Sequence, residues 1–247
     1  MEQYGFWIVL DEHCCVLTSR RYRTPDLDRD SVGDEKGTMK KKNQKEINVQ
    51  RNARFFDRWA HSYDAPLFQF WMKGFHQPVL QNIDFSKKVK ILDVSCGTGE
   101  LLLAMYTKDK NKNLRLYGLE LSEGMLRRAR HKLSKDIVLK TGDVHRLPFP
   151  SNYFDLVIST EAFHHYYGQK RALGELARVT KKGGTVIIVD VNFFLPFIHR
   201  LFERYEPGCV KINSRTEMRR LSHSSGLKSI RQQRNFLFAV MTAGTKI

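Results

Sequence analysis

Apolar positions along the chain follow two rhythms. From about Glu46 the spacing is helical: Phe55 and Trp59 stand four apart, and Leu67, Phe70, Trp71, Phe75 and Leu80 continue after a break at Pro66. Beyond Val89, short apolar runs alternate with single helical segments. Strands are predicted at Val89–Val94, Leu114–Leu119, Ile137–Lys140, Phe154–Ser159 and Thr185–Val191. Helices are predicted at Leu101–Tyr106, Met125–Leu133 and Arg171–Thr180, the last stopped by Gly183-Gly184. Strands separated by single helices imply parallel pairing, because a parallel neighbour needs a crossover and the crossovers bury both faces. The chain then gives helices at Phe194–Tyr205 and Arg215–Ser224 and two strands, Lys228–Gln232 and Phe236–Ala243, near enough to form an antiparallel hairpin at a sheet edge. The expected fold class is α/β: a doubly wound, mostly parallel seven-stranded sheet with helices on both faces and an antiparallel last strand.

The first 45 residues have neither rhythm. Phe6–Leu10 is too short an apolar run for a signal peptide and is closed by Asp11 and Glu12, while Arg20–Lys45 is polar and of mixed charge. Residues 1–45 are expected to be a disordered leader or upstream extension, and Met39 offers an alternative start. Residues 46–247 are expected to form one domain, with 46–85 as an N-terminal helical lid and 193–225 as a helical substrate cover.

Composition narrows the function classes. The chain has 247 residues and four cysteines, Cys14, Cys15, Cys96 and Cys209, with neither disulfide-ladder nor paired CxxC spacing, which points to a reducing, cytoplasmic setting and to no structural zinc. No window approaches the roughly 18 apolar residues a spanning helix requires. The net charge of +16 belongs to residues 51–247, because residues 1–50 carry equal numbers of basic and acidic side chains. A cationic domain attracts nucleic acid, anionic lipid and acidic metabolites alike.

The chemistry gathers at strand ends, where open α/β sheets bind ligands. Asp93 closes the first strand and Ser95-Cys96-Gly97-Thr98-Gly99 turns directly into a helix, whose first N–H groups are free donors. Such a turn alone is also read as a tight strand-to-helix connection. Position 102 is Leu102 where the dinucleotide fingerprint needs its third glycine, which argues against a pyrophosphate and a nicotinamide oxidoreductase. Glu120 ends the second strand, about twenty residues on, where a carboxylate can accept both ribose hydroxyls; it could equally be a surface glutamate. Asp143, after the third strand, can read an adenine edge or simply make an Asx turn. Ser159-Thr160-Glu161 follows the fourth strand. Together these residues describe an adenosine-shaped ligand without phosphates.

The segments ILDVSCGTGE (91–100), LRLYGLELSEGM (114–125), GDVHRLPF (142–149), FDLVISTEAFHH (154–165) and LGELARVTKKGGTVIIVD (173–190) resemble the ordered motifs of class I S-adenosylmethionine-dependent methyltransferases, which have a Rossmann-like fold. FFDRWAHSYD (55–64) resembles the opening of the ubiquinone/menaquinone-biosynthesis-like members. The resemblance implies S-adenosylmethionine as cofactor, with Asp93, Ser95, Gly97, Thr98 and Gly99 at its methionine part. It further implies Glu120 and Leu121 at the ribose, Asp143 and Val144 at the adenine, Thr160 beneath the sulfonium, and Tyr63 closing the lid.

Methyl transfer from such a donor needs mainly alignment and exclusion of water. If a base is used, His164 and His165 are the catalytic candidates, with Tyr166 beside them; their other reading is as rings that cap the pocket. The turn Ser159-Thr160-Glu161-Ala162 lacks the Asn/Asp-Pro-Pro-aromatic pattern of enzymes that methylate planar amines. The segment Phe194–Tyr205 puts Phe194, Phe197, Ile198, Leu201, Phe202 and Tyr205 on one helical face, which suits packing on the sheet, a roof over an apolar acceptor, or peripheral contact with an anionic membrane. The expected activity is therefore methylation of a small hydrophobic, quinone- or lipid-like acceptor. An RNA methyltransferase and a catalytically silent cofactor-binding partner protein are the alternatives.

Overall fold

The computed structural model describes residues 52–58, 60, 66–206, 208–235 and 238–247. The leader 1–45 and Tyr63 lie outside the described residues. Two helical segments, α1 (52–58) and α2 (Pro66–Gln81), precede a seven-stranded sheet. The remaining order is β1 (Val89–Val94), α3 (Glu100–Lys108), β2 (Leu114–Glu120), α4 (Glu123–Lys132), β3 (Val138–Thr141), β4 (Phe154–Thr160), α5 (Gln169–Val179), β5 (Thr180–Val191), α6 (Pro196–Tyr205), α7 (Arg215–Ser224), β6 (Leu227–Asn235) and β7 (Ala239–Lys246).

The spatial order is β3-β2-β1-β4-β5-β7-β6, parallel from β3 to β5. β7 runs antiparallel between β5 and β6. The expected sheet and its terminal hairpin are thus present, with β6 at the edge. The strand order reverses between β1 and β4, and this reversal opens the crevice in which the strand-end residues meet.

Period-two alternation in the strands divides the core. Ile91, Leu116, Ile158 and Ile187 face α2, α3 and α4 through Phe75, Leu102 and Leu126, whereas Leu92, Leu119, Val157 and Ile188 face α5 and α7 through Leu173, Leu176 and Met218. Both faces being covered is what made the strands read as continuous apolar runs.

Most boundaries shift by a few residues, and two differences are instructive. Gly183-Gly184 does not stop α5, which ends at Val179; the glycines lie inside β5. There the register jumps from Phe154↔Thr180 to Leu156↔Thr185, and a Cβ on Gly184 would come within 2.8 Å of the Asp155 carbonyl oxygen. They form an irregularity that bends the strand rather than a helix cap. The final strand begins at Ala239 instead of Phe236. Helix α6 also divides its apolar residues unexpectedly. Ile198 and Phe202 are partly buried, while Phe197, Leu201 and Tyr205 remain exposed, as does Phe194 just before the helix.

Candidate active site

The turn after β1 is shaped by close approaches. Gly99 has φ 84°, and a Cβ there would lie 2.6 Å from Leu133 Cδ1, so the start of α3 can rest on the end of α4 only without a side chain. Gly118 on β2 does the same for the turn itself: an added Cβ would stand 2.9 Å from Cys96 Sγ. Ser95 at φ 61° and Glu161 at φ 48° are non-glycine residues in the left-handed region, one after β1 and one after β4. Backbone strain therefore flanks the crevice on both sides, as it does at many functional sites.

Asp93, Ser95, Thr98 and Thr160 line one solvent-open cleft. Asp93 is 1% exposed and its Oδ1 has no hydrogen-bond partner. Burial, reinforced by the nearby Glu120 charge, pushes its carboxyl well above the usual range. Glu120 is better supported. Its Oε2 accepts from Gly97 N at 3.0 Å, and its Oε1 accepts from Leu121 N at 2.8 Å and Ser122 N at 2.9 Å. Burial nonetheless outweighs these three donors and raises its pKa. The Cys96 thiol is also pushed up, by burial and then by Asp93 and Glu120, which leaves it a packed and unreactive side chain.

The cleft has a second wall that the sequence reading missed. Met72 and His76 of α2 line it, and burial lowers the His76 pKa to about 4, leaving a neutral ring beside the carboxylates at neutral pH. Helical spacing marked α2 as a cover but could not say which of its side chains face the crevice. Asp57 of α1 was missed as well. It accepts from Ser122 Oγ at 2.5 Å and from Gly124 N at 2.8 Å, fastening α1 to the positive end of α4.

Asp143 and Val144 are not among the residues that line this cleft. The Asp143 carboxylate accepts from the His145 backbone N–H at 2.9 Å and meets His145 Nδ1 at 2.6 Å, which is the Asx-turn reading of that residue. Burial would raise its pKa, but these His145 contacts hold it below the usual range. Val144 is buried in the core on the α5 side.

His164 and His165 do not line the cleft. His164 is fully buried, with Nδ1 2.6 Å from Asp190 Oδ1 on β5 and Nε2 3.4 Å from Oε2 of Glu206, the residue after α6. Burial alone would lower its pKa, but the two carboxylates prevail and raise it well above the usual value. His165, whose ring centroid is 4.1 Å from that of His164, is held at about 4 by burial and by repulsion from its neighbour. Tyr166 joins this cluster to the cleft: its hydroxyl lies 2.9 Å from both Ser95 Oγ and Ser159 Oγ.

A buried carboxylate oxygen without a partner, beside a second buried carboxylate, calls for a cationic ligand. S-adenosylmethionine carries both an ammonium and a sulfonium, and Glu120 with the adjoining turn suits its ribose, so the residues present fit that cofactor. Residues 92–188 match the methyltransferase domain family. The demethylmenaquinone methyltransferase of Symbiobacterium thermophilum is 34% identical over 146 residues, covering 56% of this chain and 57% of that relative. The chain therefore spans little more than half the length of this curated relative. A Haloferax volcanii methyltransferase solved with the Trm112 activator superposes with a TM-score of 0.66 at 22% identity, covering 77% of this chain and 96% of the other. An S-adenosylmethionine-dependent methyltransferase of Aquifex aeolicus gives 0.61 at 17% identity, with 77% and 98% covered. The strand order and the matched segment agree: residues 92–188 are similar to the methyltransferase domain family, and the chain shares its fold with these solved methyltransferases.

Proposed function

We propose that the protein transfers a methyl group by in-line displacement to a small, apolar, quinone- or lipid-like acceptor. When bound, the cofactor supplies an activated methyl on a cationic sulfur, so the protein's task is alignment and exclusion of water. The observation that carries this reading is the unpartnered, buried Asp93 carboxylate facing the cleft. Asp93 would hold a cationic group of the cofactor, and Glu120, already fixed by three backbone donors, would hold the ribose hydroxyls. Thr160 stands opposite the glycine turn on the same cleft. Tyr166, anchored between Ser95 and Ser159, would orient the floor.

The acceptor class is supported by two further features. Met72 adds an apolar side chain to the cleft lining, and α6 leaves Phe197, Leu201 and Tyr205 exposed. The similarity to a demethylmenaquinone methyltransferase points the same way. No helix among the described residues is long and apolar enough to cross a membrane, so an apolar acceptor would be met from an aqueous phase or at a surface. Work in the cytoplasm is part of this reading, and it accords with the free thiols of Cys96 and Cys209.

The test is incubation of the protein with methyl-labelled S-adenosylmethionine and a cell extract divided into lipid, small-molecule, RNA and protein fractions. Label is expected in the lipid or small-molecule fraction. Label confined to RNA would overturn the acceptor class, and cofactor binding with no label in any fraction would favour a silent partner protein.

A further inference from the structure

We propose that His164, His165 and Glu206 form a binding site for a divalent transition-metal ion, with zinc the best match to the donor set. The three residues come from distant parts of the chain: the two histidines follow β4 and Glu206 follows α6. One ligand atom from each lies within 4.8 Å of the others. His164 Nε2 and Glu206 Oε2 are both buried and neither has a hydrogen-bond partner, an arrangement that costs free energy unless something joins them.

The spacing suits a metal better than a direct bond. His164 Nε2 stands 3.4 Å from Glu206 Oε2, and His165 Nε2 stands 3.8 Å from Glu206 Oε1. Zinc bonds to nitrogen and oxygen are about 2.0–2.2 Å, which puts neighbouring ligand atoms of a tetrahedral site roughly 3.3–3.5 Å apart. The first separation falls on that edge length; the second runs to the other carboxylate oxygen, so His165 would meet the same ion through a small rotation of its ring or of the Glu206 carboxylate. Two imidazoles and a carboxylate leave a fourth position for water.

Asp190 completes the arrangement. It is 2.6 Å from His164 Nδ1, the nitrogen that would not bind the metal. A carboxylate on the second nitrogen of a ligating histidine fixes ring orientation and raises ligand basicity. An ion here would join α6 to the ends of β4 and β5 and hold the C-terminal cover in place. The cysteine spacing that argued against zinc has no bearing on a site built without thiolates.

The experiment uses the full chain, stripped with a chelator and titrated with Co²⁺ while the visible absorption is read. One Co²⁺ per chain is expected to bind, with the band intensity of a four-coordinate ion, and Zn²⁺ should displace it. Glu206→Gln and His164→Gln should abolish the band, and Asp190→Asn should weaken binding 10–100-fold, the usual effect of losing such an orienting partner. X-ray absorption on the zinc-loaded unmodified chain covers the case in which a variant fails to fold. It should show imidazole scattering from two histidines with no sulfur ligand. Absence of a saturable band, or a band unchanged in folded Glu206→Gln, would overturn the proposal.

Discussion

Two buried carboxylate groups at the same rim of the sheet are neutralised in different ways. Asp93 faces the cleft with Glu120 buried nearby, and their compensation comes from backbone N–H groups that all go to Glu120, leaving Asp93 Oδ1 bare. Asp190 instead closes upon His164 Nδ1, so its charge is met from within the fold. A buried charge with an internal partner supports structure, and one without it is an invitation to a ligand. Changes at the two groups should therefore have opposite signatures, one in stability and the other in cofactor affinity.

The largest effect is expected at the internally paired group. Asp190→Asn leaves the buried His164 ring without its closest anionic partner and should lower unfolding free energy by about 3 kcal/mol, read by denaturant titration, with little change in cofactor affinity. If affinity fell while stability held, the two groups would have been assigned the wrong way round. At the other group, Glu120→Ala should weaken cofactor binding by roughly 1.5–3 kcal/mol per ribose bond at most, measured by calorimetry. Unchanged affinity would remove Glu120 from the site.

Proton uptake sharpens the same contrast. Burial raises the Asp93 pKa in the free protein, and a cationic ligand lowers it again, so binding should release protons and tighten as pH rises. Calorimetry in two buffers of different ionisation enthalpy reads this directly, and proton uptake on binding would contradict the sign. The smallest effect belongs to neither group. Glu217 completes the capping box at Ser214, and although burial opposes ionisation, hydrogen bonds from Lys211 and Ser214 bring its pKa to about 2. Its contribution is present above the ordinary carboxylate pKa and lost as pH falls toward 2. Glu217→Ala should cost about 1 kcal/mol or less at neutral pH, because the side chain is partly exposed. A cost equal to that of Asp190→Asn would show that exposure does not separate these carboxylates.

The sheet was legible because its strands are buried on both faces and its helices are punctuated by caps; β1 and α7 fall at their expected bounds. Asp93 and Thr160 were legible for the same reason, since a polar residue ending an apolar run can only sit at a strand end. Asp143 occupies the predicted place, but its carboxylate engages His145, a choice that local sequence leaves open. His76 and Asp57 were illegible because helical spacing gives a face and not what that face meets. Glu206 was hidden more deeply. It stands 41 and 42 positions from His165 and His164, and only the tertiary fold brings them together.

The most direct measurement is calorimetric titration of S-adenosylmethionine into the unmodified chain and into Asp93→Asn. Stoichiometric binding to the first is expected, with affinity reduced by about two orders of magnitude in the second and no loss of thermal stability, since burial already disfavours the charged form in the free protein and asparagine is a neutral replacement of the same shape. No binding to the unmodified chain, or equal affinity in a folded Asp93→Asn, would contradict the account.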